Sequence, residues 1–216
     1  MSEFPQTDLN KVKRLPKRGQ YDKKTIYQIV DEALICHVGF VLEGQPFVMP
    51  TIHVRIDDTI YLHGAVANRM LTHIKAGNNV CLTMTLIDGI VFARSVFHHN
   101  MNYRSAVLFG KGSVIEDYDE KWNIFKALTE HIAKGRWNDA RKPTEQETNI
   151  TTIVAIDIDS ASAKIRTGPA KDDEEDYTLS IWAGVMPVQM QFGNPISDEQ
   201  LAQEIHVPEY ILNYKR

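Results

Sequence analysis

Short apolar runs rich in β-branched residues follow one another along most of the chain and predict a mainly β protein. In order, the first of them are ICHVGFVL, PFVMPTIHV, TIYLHG, VCLTMTL, GIVFARSVF and RSAVLFGKGSVI, and TNITTIVAIDIDSASAKIR and SIWAGVMPV return to the same pattern later. EGQ joins the first pair and a DD turn joins the next, and such short connections are typical of antiparallel neighbours. Many short strands with few helices favour a closed or nearly closed barrel, since closure removes exposed sheet edges.

Three stretches instead carry apolar residues at helical spacing and predict amphipathic helices: residues 21–34, 65–79 and 117–137. Asp22 can cap the first of these helices, and Gly135 marks the predicted end of the third. A further helix is predicted over SDEQLAQEI near the C terminus, where Ser197 and Gln200 have the spacing of a capping box.

The composition is that of a single globular domain. The chain has 216 residues, of which 43% are apolar and 24% charged, and no repeat or linker divides it. We predict a flexible basic arm at residues 1–20, a barrel domain at 21–188, and an extension with a short helix at 189–216. Within the barrel domain, the acidic loop at 169–177 is expected to be solvated and mobile.

Charge and hydropathy argue against nucleic acid or a membrane as partner. The net charge is −4, and the basic cluster KVKRLPKRG at residues 11–19 is short and lacks aromatic residues. Cys36 and Cys81 lie in apolar runs, as buried reduced thiols do. No apolar stretch approaches the length of a membrane span, and no signal-peptide pattern follows Met1. We therefore expect a cytoplasmic protein.

Familiar catalytic motifs are missing from the sequence. It contains no phosphate-binding P-loop, no G-x-G-x-x-G turn, no H-E-x-x-H pair and no G-x-S-x-G elbow, which argues against a nucleotide triphosphatase, a Rossmann dehydrogenase and an α/β-hydrolase. His98 and His99 are adjacent and would point to opposite faces of a strand, so we predict no metal site there.

The stretch YLHGAVANRML has the pattern of a phosphate cradle. A predicted strand ends at His63 and Gly64, and a short helix begins near Asn68 and Arg69. A helix N-terminus, a glycine that allows close approach and a guanidinium together suit an anion. The alternative is that Arg69 is a solvent-facing helix residue and Gly64 belongs to an ordinary turn.

A second polar stretch, HNMNYRSAVLFG, leads directly into an apolar strand. If Arg104 and Ser105 converge on the cradle, a phosphate there would have two arginines and a hydroxyl as donors. The alternative is an ion pair between Arg104 and an aspartate.

Three segments resemble the flavin-nucleotide-binding branch of the pyridoxamine 5′-phosphate oxidase-like superfamily, the branch related to nitroimidazole-resistance proteins. They are PFVMPTIHVRIDDTIYLHGAVANRML, ARSVFHHNMNYRSAVLFGKGSV and SAKIRTGPAKDDEEDYTLSIWAGVMPV, with NYRS before an apolar strand as the most specific element. The resemblance implies an FMN-binding split β-barrel, antiparallel and Greek-key-like. It also implies a homodimer with two equivalent flavin sites between the subunits.

The resemblance implies these flavin-binding positions: Met49, Pro50, Thr51 and Ile52 along the isoalloxazine ring; His63, Gly64 and Ala65 beside the ring and ribityl chain; Asn68 and Arg69 at the phosphate; Arg104 and Ser105 along the same site. It also implies an acid/base role for His63. Oxidation of pyridoxamine phosphate is not expected, because the consecutive basic residues of those oxidases are replaced by Asn68 and Arg69, and their carboxy-terminal substrate pattern is missing.

Two functional hypotheses follow. The first is an FMN-dependent oxidoreductase that reduces a small nitro or quinone-like compound, with NAD(P)H or a reductase as electron donor. The second is a non-catalytic flavin or haem protein that stores, senses or detoxifies its ligand. In the haem case, His53, His98 or His99 would be the axial ligand.

Overall fold

The computed structural model describes residues 2–215, and its centre is a curved antiparallel sheet of ten strands. In chain order the strands are β1 (Gly19–Gln20), β2 (Ile35–Leu42), β3 (Gln45–Ile52), β4 (Val54–Ile56), β5 (Thr59–Ala65), β6 (Asn79–Phe92), β7 (Asn100–Ile115), β8 (Thr151–Asp157), β9 (Ser160–Arg166) and β10 (Gly184–Pro187). The main hydrogen-bonded path runs β3-β2-β6-β7-β8-β5-β4, while β9 pairs with β7 and β1, and β10 pairs with β6. The predicted mainly β, antiparallel fold is confirmed.

Helices flank this sheet: α1 (Lys23–Glu32), α2 (Arg69–Lys75), α3 (Tyr118–Ile132), α4 (Arg136–Asp139), α5 (Glu145–Asn149) and α6 (Glu209–Leu212). The first three confirm the predicted amphipathic stretches, and the Asp22 carboxylate caps α1 by accepting the Thr25 N–H at 2.8 Å. Helix α3 ends before Gly135, because the Glu130 carboxylate accepts the N–H groups of Gly135 and Trp137 and turns the chain into α4. None of the helices in residues 2–215 combines the length and apolar character of a membrane span.

The sheet closes into a split barrel because the chain itself links its two edge strands. Strands β3 and β4 lie at opposite ends of the hydrogen-bonded path, yet only His53 separates them in sequence. Strand β3 also lies beside β5 without pairing with it in the described sheet. The main core fills the interior and includes Ile60 and Leu62 of β5, and a smaller core lies under α3.

Two strands are longer than the sequence pattern suggests. The sequence predicts VCLTMTL and GIVFARSVF as separate strands, but β6 runs through the first and into GIVF of the second, and a bulge at Asp88 absorbs the interruption. The rest of the second run, ARSVF, lies outside the strand and leads into a 3₁₀ turn at Val96–His98. Strand β7 pairs along its first half with β9 and along its last residues with β8. The change of partner occurs at Gly110 and Gly112. A Cβ atom on Gly110 would lie 2.0 Å from the Asp157 carbonyl oxygen, and one on Gly112 would lie 2.1 Å from the Ile74 Cγ2 atom, so neither position has room for a side chain.

Of the flexible basic arm predicted at residues 1–20, the described residues 2–20 include several with defined contacts to the barrel. Phe4 is 5% exposed in the main core, and the Asn10 amide donates to the Ala161 carbonyl at 3.1 Å. Strand β1 pairs with β9. This packing brings the basic residues of the segment next to the end of β9.

The acidic loop at 169–177 is anchored to the barrel. The Asp172 side chain is buried and accepts the N–H groups of Arg94 and Ser95 at 3.0 and 3.2 Å. A 3₁₀ turn follows at Glu174–Thr178. The expectation of a wholly solvated loop is therefore wrong at Asp172. The connection between β6 and β7 has main-chain N–H groups without a strand partner, and the Asp172 carboxylate accepts them.

The prediction of a helix over SDEQLAQEI is wrong. Asp198, rather than Ser197, accepts the Gln200 N–H, at 2.8 Å, and the chain continues in turns until α6. Such local side-chain bonding competes with a helix. All residues of this segment are exposed, so a helix here would bury no apolar face against the barrel. We call residues 188–206 the C-terminal arm. Its exposed apolar residues are Val188, Met190, Phe192, Ile196, Leu201 and Ile205.

Candidate functional site

The turn before α2 holds the predicted phosphate residues. The Asn68 side chain caps the helix and accepts the N–H groups of Met70 and Leu71 at 2.9 and 3.2 Å. The two main-chain donors are therefore already satisfied by the protein. Arg69 is exposed, and its guanidinium carbon lies 4.2 Å from the centre of the Phe47 ring on β3. Arg69 is thus the cation that this turn offers to an anion, and it is positioned beside β3.

The end of β5 packs directly on the same turn. A Cβ atom on Gly64 would lie 3.0 Å from the Leu71 Cδ1 atom and 3.6 Å from the Asn68 amide nitrogen. The structure therefore brings together three of the predicted segments, namely the end of β3, His63 to Ala65, and Asn68 with Arg69. The glycine permits this close approach between strand and helix.

His63 carries a buried nitrogen that the protein leaves without a partner. Its Nδ1 atom is inaccessible and has no hydrogen bond within residues 2–215. Burial lowers the pKa of the imidazole, so the neutral form dominates at neutral pH. A buried nitrogen without a partner is costly, and a bound ligand with a polar edge would satisfy it.

Strand β3 presents a free edge beside these residues. It pairs with β2 on one side, and in the described part of the chain no strand pairs with its other side. Met49 packs toward the main core, whereas Pro50 is exposed. Main-chain groups from Met49 to Ile52 are therefore available to the polar edge of a planar ligand.

Arg104 forms the ion pair that the sequence left open as its alternative. Its guanidinium donates to the Asp88 carboxylate at 2.8 and 3.0 Å and to the Glu32 carboxylate at 2.8 Å. The bulge in β6 brings Asp88 to this face, and both acids raise the pKa of Arg104. The side chain thus fastens the end of α1 to the sheet.

Ser105 lies on the other face of β7, since neighbouring residues of a strand alternate. Its hydroxyl donates to the Lys164 carbonyl at 3.4 Å, and the N-terminal segment covers it. The structure therefore does not place Arg104 and Ser105 together on one wall in a single protomer. A flavin contact by either residue stays a prediction.

The histidines considered as metal or haem ligands have different surroundings. His53 is fully buried, and its Nε2 atom donates to the Val30 carbonyl at 2.9 Å. His98 lies 3.2 Å from the Asp173 carboxylate, and these two residues place ligand atoms within 4.8 Å of one another and of Asp176, a grouping that the sequence did not indicate. His99 is exposed, and its Nδ1 atom donates to the Ser95 carbonyl at 3.0 Å.

Sequence reasoning missed a basic pocket at the end of β9. Arg166 is buried there, and the pocket is also lined by Lys17, Arg18 and Lys171. The cluster KVKRLPKRG was the available signal. Its pattern predicts only a flexible arm, because the spatial relation of this cluster to Arg166 is not visible in the sequence.

Comparison with known proteins gives a consistent result. The family model described as pyridoxamine 5′-phosphate oxidase matches residues 22–165. The flavocytochrome Anf3 from Azotobacter vinelandii is 36% identical, with a TM-score of 0.91 over 97% of each chain. The FAD and haem binding protein from Mycobacterium smegmatis is 30% identical, with a TM-score of 0.86 over 91% of this chain and 96% of the other.

A candidate 5-nitroimidazole antibiotic resistance protein from Bacteroides thetaiotaomicron is also similar. It is 28% identical, with a TM-score of 0.57 over 67% of this chain and 84% of that protein. Comparison with curated protein sequences gives no match. The likeness to the first two structures therefore extends over nearly the whole chain, whereas the likeness to the third covers about two thirds of it.

Proposed function

Because the chain belongs to the pyridoxamine 5′-phosphate oxidase family, we propose that it binds a flavin nucleotide and transfers electrons to a small organic acceptor. The observation that carries this proposal is the meeting of the free edge of β3, the unpartnered Nδ1 atom of His63 and the Arg69 guanidinium around one turn. A flavin needs partners for a planar polar edge and for a phosphate. These three features offer both.

Each of the three features has a distinct part in the proposed site. The edge of β3 orients the ring through main-chain groups, and Arg69 binds the phosphate by a charge-assisted hydrogen bond. His63 is neutral at neutral pH and can accept a proton at Nδ1. The flavin itself supplies the redox chemistry. FMN is the nucleotide that the sequence resemblance implies, while the name of the M. smegmatis protein specifies FAD.

We assign a nitro or quinone-like compound as the acceptor and NAD(P)H or a reductase as the electron donor. The likeness to the candidate nitroimidazole-resistance protein supports the acceptor class. The sequence has no dinucleotide fingerprint of the Rossmann type, so the donor would approach a bound flavin rather than occupy a separate Rossmann domain.

We further propose that the active form is a homodimer. The C-terminal arm exposes apolar side chains over most of its length, with Ile196 96% exposed. Val96 and Phe97, in the loop before β7, are also strongly exposed. Monomeric proteins rarely leave extended apolar surface in water, and a second copy of the chain would cover it.

An absorbance spectrum of the purified chain tests flavin binding. We expect flavin bands in near-stoichiometric amount, and chromatography of the released cofactor will identify it as FMN or FAD. Mixing with NAD(P)H, or with a reductase system, should bleach these bands, and a nitro or quinone compound should restore them. A chain that takes up neither FMN nor FAD contradicts the proposal, and a flavin that no acceptor reoxidises removes the oxidoreductase function.

Replacing Arg69 by alanine should weaken flavin binding at least tenfold. The expected loss of binding free energy is about 1.4 kcal/mol or more, as for the removal of a charge-assisted hydrogen bond to phosphate. Fluorescence titration of the apo-protein measures the affinity. Lys75→Ala is the matched control, since it removes an exposed cation from the other end of the same helix. Equal affinities for the Arg69 variant and the wild type would show that the phosphate lies elsewhere.

Haem binding is a second candidate, and the surroundings of His99 favour it. Its Nδ1–H bond to the Ser95 carbonyl leaves Nε2 as the nitrogen able to bind iron. The ring also meets Phe92 edge-on, and Trp182 and Met101 nearby in the fold are exposed apolar side chains. Two relatives that cover almost the whole chain are named as a flavocytochrome and an FAD and haem binding protein. A Soret band in the same spectrum would support this candidate.

A further inference from the structure

The basic pocket lies where three parts of the chain meet. The end of β9, the 3₁₀ turn at Pro16–Arg18 and the loop that precedes β7 line an open pocket of about 420 Å³. Four of its lining residues are cations at neutral pH: Lys17, Arg18, Arg166 and Lys171. The described residues that line the cavity include no aspartate or glutamate. The pocket shares no residue with the turn at Asn68 and Arg69.

Arg166 is a buried cation held only by neutral groups. The residue is 7% exposed, and its guanidinium donates to the Asn102 side chain and to the carbonyls of Gly168 and Pro169, the latter two at 3.1 Å. Its Nε atom is buried without a hydrogen-bond partner. Within residues 2–215, no carboxylate lies within 4 Å of the guanidinium. Arginine does not lose its proton in proteins, so this charge must be balanced in another way.

The neighbouring charges increase the imbalance. Burial lowers the pKa of Arg166, and the proximity of Arg18 lowers it further. Lys17 and Lys171 are exposed at the mouth, and neither these two lysines nor Arg18 forms an ion pair in the described part of the chain.

The acids next to the pocket in sequence have other partners. The Asp172 carboxylate binds Arg94 and main-chain N–H groups, and Asp173 lies against His98. In the described part of the chain, no carboxylate therefore pairs with the four cations of the pocket, and Asp173 and Asp176 lie beside His98 at its edge.

We propose that the basic pocket binds the phosphate group of a phosphorylated ligand. A phosphate carries up to two negative charges and several acceptor oxygens, which suits four converging cations better than a single carboxylate does. The Arg18 guanidinium and the two lysines are the accessible donors, and Arg166 adds a buried positive charge at the wall of the pocket. Thr167 and Asn100 line the same cavity and add neutral donors. This inference does not depend on the proposed flavin site, with which it shares no side chain.

Calorimetric titration of the full-length protein with pyrophosphate and with ADP, at constant ionic strength, tests the proposal. We expect binding of pyrophosphate, and weakening by at least tenfold in the double variant Lys17→Gln/Lys171→Gln. Both lysines are exposed, so this variant should fold. Arg166→Gln should abolish binding, and its folding is checked by circular dichroism. Tighter binding of ADP than of pyrophosphate would indicate a nucleotide, whereas equal binding would indicate recognition of phosphate alone.

The double variant Lys11→Gln/Lys13→Gln is the matched control. It removes the same charge from the same basic segment, and neither residue lines this pocket. Its affinity should stay within twofold of the wild type. No binding of either compound at millimolar concentration, or equal losses in the two double variants, would overturn the proposal. The flavin bands of the same samples report separately on the proposed function, so the two can fail independently.

Discussion

Replacing Gly110 by alanine is expected to lower the free energy of unfolding by about 3 kcal/mol or more, at the upper end of the cost of overpacking a core. The new Cβ atom would lie 2.0 Å from the Asp157 carbonyl oxygen, a main-chain atom that cannot rotate away. Relief would require moving the end of β8 away from β7, where the two halves of the barrel join. Urea unfolding at a fixed protein concentration measures the decrease in the free energy of unfolding. Failure of the variant to fold would agree with the prediction.

Gly39→Ala is the matched control for this prediction. Gly39 also lies within a strand, but its Cβ atom would stand 3.5 Å from the nearest heavy atom, which is ordinary van der Waals contact. This variant should unfold at the wild-type urea concentration or slightly above it, since alanine restricts the unfolded chain. If the two variants have the same midpoint, the crossing of β7 and β8 is looser than the structure indicates.

Placing charges on the C-terminal arm is expected to convert the proposed dimer into a monomer. The double variant Met190→Asp/Ile196→Asp removes two apolar contacts of about 2 kcal/mol each from every protomer, so a symmetric dimer loses four and should associate at least a thousandfold more weakly. Both side chains are strongly exposed in the single protomer. Sedimentation velocity over a range of protein concentrations measures the change.

The control for the arm adds the same charges without removing apolar surface. Gln189→Asp/Gln203→Asp changes two exposed polar residues of the same extension. This variant should associate within about tenfold of the wild type, since charges at a polar rim contribute little to affinity. A monomeric wild type, or a dimer that survives the Met190 and Ile196 changes, would show that the arm does not hold two copies together.

The strands and the larger helices could be predicted from the sequence because each depends on a local pattern. The run ICHVGFVL alternates in burial along β2, and the Asp22 cap of α1 follows from a single residue type in the right place. The continuity of β6 could not be predicted. Asp88 and Gly89 look like a break in the sequence, and only pairing with β7 shows that they form a bulge within one strand.

The candidate site was predictable where its residues are close in sequence. His63, Gly64, Asn68 and Arg69 belong to one strand-turn-helix unit, and the structure keeps them together. The sequence offers an aspartate as the alternative partner of Arg104 but does not indicate Glu32, which is 72 residues away and depends on the docking of α1. Long-range charge pairs are set by tertiary packing, which leaves no periodic signal in the chain.

If the proposed site holds a flavin, the seam between β3 and β5 has a consequence for the kinetics of cofactor exchange. In the described part of the chain, no hydrogen-bonded ladder joins these two strands. The ring would therefore enter or leave along β3 without breaking hydrogen bonds between strands. The protein motions required would then be side-chain motions, above all the release of Arg69 from the face of Phe47. Rotamer changes of exposed side chains take nanoseconds or less, so the dissociation rate is governed by the strength of the ligand contacts rather than by opening of the barrel.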